Sequence, residues 1–173
     1  MAILGIVTHA AQPGIILFLP LFIVYNMGLD LIYVGYAFFI LEIMHIFQFW
    51  FGKQADKYGA WKFVIIGCLT MALGMGLLYI SNSFFTLIIF LFIQSIGRSM
   101  WNVSAWSFMS KVGEENKKEG EIAASYASIA KIGAFVSFLL SGIIVTFFGI
   151  QTLFLINAIL VVFGVIFAYK FLR

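Results

Sequence analysis

Long apolar runs separated by short polar breaks set the pattern of this chain. A helix crossing a hydrocarbon core needs about 20 apolar residues, and six runs of that order can be placed, at about 2–25, 31–51, 62–80, 84–109, 121–146 and 150–170. The breaks fall at 26–30, 52–61, 81–83, 110–120 and 147–149. The pattern predicts an all-α integral membrane protein with six transmembrane helices in a single domain over 1–173. The two longer breaks, about 52–61 and 110–120, are read as cytoplasmic loops. Composition points the same way: of 173 residues, 64% are hydrophobic and 10% charged, against roughly a quarter charged in soluble domains. A water-facing globule cannot absorb that much apolar surface. Apolar segments start at once and carry no basic leader, so a cleavable signal peptide is not expected. Cys68 is the single cysteine and has no partner for an intrachain disulfide.

The basic residues predict the orientation. Lys53, Lys57, Lys62, Lys111, Lys117, Lys118, Lys170 and Arg173 fall in or beside the second and fourth breaks and at the C-terminal end, whereas the other breaks hold no Lys or Arg. Basic loops stay on the cytoplasmic side, which places both termini in the cytoplasm of a multi-pass plasma-membrane protein. So one-sided a bias argues against insertion both ways up, and any dimer should be parallel. The net charge of +3 is dispersed, with no basic aromatic stripe, so the expected surroundings are the lipid bilayer and not nucleic acid.

Ionisable groups at membrane depth cost several kcal/mol and usually line a water-filled path or a protein interior. They fall on four spans: His9 on the first, Glu42 and His45 on the second, Arg98 on the fourth and Lys131 on the fifth. The third and sixth have none within their apolar stretches and read as lipid-facing. At 1.5 Å per residue, Glu42 and Lys131 lie about 15 Å from their helix starts and Arg98 about 21 Å from the outer side, too deep for easy snorkelling. His9 and Gln12 share one side of the first span, next to the carbonyl that Pro13 leaves without a helical partner, and a kink is expected there. Glu42 and His45 share a face and can exchange a proton through desolvation and mutual charge. They also spell one Glu-x-x-His element of a diiron bundle, but a single copy is too little for a metal site. Neither a metal nor a cofactor is expected. Gln94, Arg98, Trp101 and Asn102 recur at helical spacing, placing a guanidinium, an aromatic ring and an amide in one stripe. Arg98 suits a carboxylate or phosphate, and Trp101 a flat or apolar group. The competing reading pairs Arg98 with Glu42 and leaves it no solute contact. Lys131 adds a second deep cation, and surplus positive charge favours anions.

The second break reads Gly52-Lys53-Gln54-Ala55-Asp56-Lys57-Tyr58-Gly59-Ala60-Trp61-Lys62. It resembles the Gly-x-x-x-Asp-Arg/Lys-x-Gly-x-x-Arg/Lys signature of the major facilitator superfamily, which that family also carries after its second span. Gly52, Asp56, Lys57, Gly59 and Lys62 keep the pattern, and the resemblance implies a latch that stabilises one access state. Two further stretches resemble family patterns with departures: Leu91 to Gly97 lacks the arginine of Arg-x-x-Gln-Gly, and Gly133 to Gly142 has Ser137 and Phe138 in place of Gly-Pro. The family is built from two six-helix halves, each of 3+3 inverted repeats. The resemblance therefore implies one half of that fold, in which helices 1 and 4 line the cavity, 2 and 5 meet the other half, and 3 and 6 face lipid.

A lone half leaves Glu42, Arg98 and Lys131 facing lipid, so a second half is expected, most economically a second copy in a parallel homodimer. The leading expectation is a secondary transporter of a small polar solute working by alternating access. His9, Gln12, Gln94, Arg98, Trp101, Asn102 and Lys131 would form the solute site, Glu42 and His45 would handle protons, and Asp56 would latch near Glu121 of the partner copy. Two alternatives stay open: an excised half that is inactive alone, and a membrane scaffold or receptor-like subunit that transports nothing. An enzyme is not expected, since the chain has no Gly-x-Ser-x-Gly or His-Glu-x-x-His motif.

Overall fold

The computed structural model describes residues 2–171, and Arg173, counted in the charge bias, lies outside them. Among the described residues the only regular structure is helix, broken by short turns, with six helical spans long and apolar enough to cross a membrane: span 1, Leu4–Asn26; span 2, Leu31–Tyr58; span 3, Ala60–Leu78; span 4, Phe84–Glu115; span 5, Glu119–Phe148; and span 6, Ile150–Lys170. The helices outrun the apolar stretches that announce them. The break at 52–61 is helical except at Gly59, and the break at 110–120 is helical up to Glu115 and again from Glu119. Hydropathy marks where lipid ends, while Lys, Gln, Ala and Glu keep a helix going into water.

Lipid tails are as apolar as leucine, so helices pair here through close packing rather than hydrophobic exclusion. Spans 3 and 4 make the most extensive contact in the molecule. Their backbones touch at glycines: a Cβ on Gly67 would lie 2.5 Å from the Trp101 amide nitrogen, and one on Gly74 2.5 Å from that of Gln94, while Gly97 abuts the Met71 backbone. Spans 1 and 5 approach in the same manner at Gly133, which lies against the Ile6 carbonyl.

The pairing pattern is twofold. Span 1 packs on spans 5 and 6, span 4 packs on spans 2 and 3, and spans 3 and 6 meet each other. Exchanging 1 with 4, 2 with 5 and 3 with 6 preserves these contacts. Because each unit has three spans, the second enters the membrane from the opposite side, which gives 3+3 inverted repeats. The turns from span 2 to 3 and from span 5 to 6 correspond as well, each made on a single left-handed glycine, Gly59 (φ +103°) and Gly149 (φ +84°).

Spans 3 and 6 each present an apolar outer face, with Ile66, Leu69 and Leu73 on one and Phe163 and Ile166 on the other. Their inner faces form the spine of the bundle, with Met71, Met75 and Phe154 fully enclosed. The helix of span 1 runs unbroken through Pro13 and Pro20, then widens to a π-helical segment over Phe22–Asn26. Span 2 is interrupted at mid-depth by a 3-10 turn, Met44–Phe47, with no proline or glycine to announce it.

Candidate functional site

The interruption in span 2 organises the charged residues. In a 3-10 turn residues three apart eclipse one another, and the turn begins just after Glu42. The His45 Nδ1 lies 3.2 Å from the Glu42 Oε2, while the Arg98 guanidinium donates from Nη1 to the Glu42 Oε1 at 2.9 Å. One carboxylate thus engages its own helix with one oxygen and span 4 with the other. Glu42 remains 57% exposed within the chain, against 18% for Arg98. One turn before Arg98, the Ser95 hydroxyl donates to the Leu41 carbonyl at 2.7 Å, fixing the two helices beside the ion pair.

On the other side of span 4, the His9 ring meets the Trp101 ring edge-on at 5.0 Å and the Tyr126 ring at 6.3 Å. His9 donates from Nδ1 to the Gly5 carbonyl at 3.0 Å, which fixes its tautomer when neutral. Arg98 and Lys131 both lie within electrostatic range of this ring. Lys131 is exposed on span 5 and has no carboxylate within ion-pair distance among the described residues.

The polar stripe of span 4 wraps further round the helix than its spacing suggests. Arg98 turns to span 2 and Trp101 to span 1, while Asn102 is half-buried. Gln94 is 2% exposed on the side packed against Gly74 of span 3. Gln12 points its amide at the Met71 sulfur, 3.6 Å away. Trp101 and Tyr126 are each 3% exposed, and the indole Nε1 and the phenol hydroxyl are buried without a hydrogen-bond partner.

At the end of span 2 that turns at Gly59, Asp56 accepts from the Ser107 hydroxyl at 2.9 Å and lies 3.4 Å from the Lys111 ammonium, so its partners are on span 4 of its own chain. Gly52, one turn earlier, allows this approach, since a Cβ there would stand 3.3 Å from Val103. Lys57 rests over the Tyr58 ring at 5.0 Å, Lys62 is exposed, and Glu121 pairs with Lys118 at 3.1 Å. Sequence reasoning missed Ser95, Tyr126, Ser107 and Lys111. Lys111 registers in the sequence only as a topogenic charge, and a serine or tyrosine within a span gives no signal of which helix it faces.

Comparison with known proteins agrees with this geometry. The family model described as Major Facilitator Superfamily matches residues 1–173. An uncharacterised MFS-type transporter of Methanocaldococcus jannaschii is 30% identical over 155 residues, covering 88% of this chain and 39% of that protein. An uncharacterised transporter of Buchnera aphidicola is 32% identical over 160 residues, covering 89% and 39%. A riboflavin transporter of Clostridioides difficile is 29% identical over 122 residues, covering 70% and 26%. The chain thus spans about two fifths of the length of the first two relatives. Six spans in two inverted units, the Gly52 to Lys62 signature closing onto span 4, and a match along the whole sequence lead to one conclusion: this chain belongs to the Major Facilitator Superfamily, a family of multi-pass membrane transporters.

Proposed function

We propose that this six-helix unit is one half of a twelve-span secondary transporter, completed by a second copy of the same chain about a twofold axis along the membrane normal. The assembly moves a small polar solute across the plasma membrane by alternating access, with the termini in the cytoplasm. The observation that carries this reading is Glu42, a carboxylate at membrane depth, 57% exposed and bridged to Arg98 on a helix face that the chain itself leaves bare. Lipid is a costly cover for such a group. A second half set against spans 2 and 5 encloses it and creates a cavity lined by His9, Gln12, Arg98, Asn102 and Lys131, with Gln94 and Trp101, both buried within the chain, behind. Arg98 and Lys131 outnumber Glu42, which favours an anionic solute. Glu42 and His45 handle protons if the transport is proton-coupled. The riboflavin transporter among the relatives adds flavins to the solutes worth screening.

The chain's span of about two fifths of its relatives favours a second reading. In it the same unit is joined, within a longer protein, to a second half of different sequence and is inactive by itself. A thermal-shift screen of anionic, neutral and cationic metabolites and flavins identifies a ligand, and its uptake is then measured in proteoliposomes. Uptake by the chain alone, lost in Arg98→Ala and Glu42→Gln, supports the homodimer. Wild-type uptake by both variants overturns the allocation of the site, and binding without uptake favours the joined half.

A further inference from the structure

A groove of about 350 Å³ runs along the outer surface between spans 1 and 6. All of its described lining residues belong to those two spans, so it is separate from the faces of spans 2 and 5 that the proposed second half would cover. Val7 and Gly164 form its floor, where the helices touch closely enough that a Cβ on Gly164 would lie 2.9 Å from Val7 Cγ1. Leu160, Phe163 and Phe167 form its wall, and Lys170 stands at its end. Among the described residues, no other charged side chain and no polar one lines it.

Its dimensions match one leaflet. Leu160 and Lys170 are ten residues apart, about 15 Å along a helix, which is half of the roughly 30 Å hydrocarbon core. Leu160 therefore sits near mid-membrane when Lys170 is at the surface. A lysine at that level keeps its stem on apolar surface and its ammonium at the headgroups, on the Lys-rich side of the protein. The ammonium offers donors to a phosphate, while no lining side chain among the described residues accepts from the cationic amine of a zwitterionic headgroup. We infer that this groove binds an anionic phospholipid of the cytoplasmic leaflet, with an acyl chain between spans 1 and 6 and its phosphate at Lys170.

Native mass spectrometry of delipidated protein in mild detergent tests this, with phosphatidylglycerol and phosphatidylcholine of identical acyl chains as probes. Wild type should retain phosphatidylglycerol several-fold better. Lys170→Gln should bring it down to the phosphatidylcholine level, and Leu160→Trp, which fills the groove from an exposed position, should lower both lipids. Circular dichroism checks that each variant is folded. Equal retention of the two lipids by wild type, no effect of Lys170→Gln, no effect of folded Leu160→Trp, or displacement of phosphatidylglycerol by millimolar inorganic phosphate would each overturn the site.

Discussion

Spans 3 and 6 and spans 2 and 5 divide as they would in a soluble protein, with the apolar pair packed and the charge-bearing pair bare, although their surroundings are lipid. Within its most apolar stretch, span 3 has 44% of its residues buried and span 6 the same, against 11% for span 2 and 22% for span 5. Spans 3 and 6, without an ionisable residue in their apolar stretches, are packed as well as span 1, which carries His9, and span 4, which carries Arg98, follows at 39%; the spans carrying Glu42, His45 and Lys131 are the bare ones. In water, leaving the charged helices outside would need no comment. In lipid it is costly. The packing of spans 3 and 6 is complete within the chain, whereas spans 2 and 5 present surfaces that make physical sense only against more protein.

Substitutions on the two sides should separate accordingly. Gly97→Leu forces a side chain into the Met71 backbone. Overpacking costs about 1–3 kcal/mol where neighbours can yield, and a helix backbone yields less, so folded protein should be lost from size-exclusion profiles. The same change at Gly35, which has no atom within 4 Å of an added Cβ, should leave the single chain folded and impair only its association. Loss of folding in Gly35→Leu would erase the contrast between the two regions.

Arg98→Ala removes the strongest tie between spans 2 and 4. It should destabilise by about 1.5–3 kcal/mol, the range for hydrogen bonds to charged groups, and reduce uptake at least about tenfold, equivalent to about 1.4 kcal/mol of barrier. Thermal denaturation and proteoliposome flux measure the two. Ser95→Ala cuts the neutral bond to Leu41 beside it and should cost about 1 kcal/mol with flux little changed, so an equal loss of flux in both variants would mean that helix spacing, rather than charge, governs transport. Asp56→Asn touches a pair whose side chains are 53% and 62% exposed. Its stability effect should stay within about 0–1 kcal/mol, while flux changes through the balance of access states.

Much of this contrast was legible in the sequence. The six apolar runs located every span, because about 20 apolar residues admit few other structures, and the Gly52 to Lys62 signature marked the turn between spans 2 and 3 but not the partners of Asp56 on span 4 of the same chain. Helix ends were not legible, since Gln54 or Lys111 reads as loop by hydropathy and as helix by propensity. The 3-10 turn at Met44–Phe47 was also hidden: it contains no proline or glycine, and it stands where Glu42 bonds to Arg98 on another helix. The direction of Gln94 was misjudged for a related reason. Helical spacing groups residues into a broad arc, and only the glycine contact with span 3 divides that arc into a packed side and an open one.

The central claim is that the bare faces of spans 2 and 5 are covered by a second copy. Native mass spectrometry of the chain released from mild detergent tests it most directly. The account predicts a particle of two chains, twice 19.4 kDa. A folded chain that persists as a single 19.4 kDa species under the gentlest release would contradict it, because that chain would be holding Glu42 and Lys131 against lipid unaided.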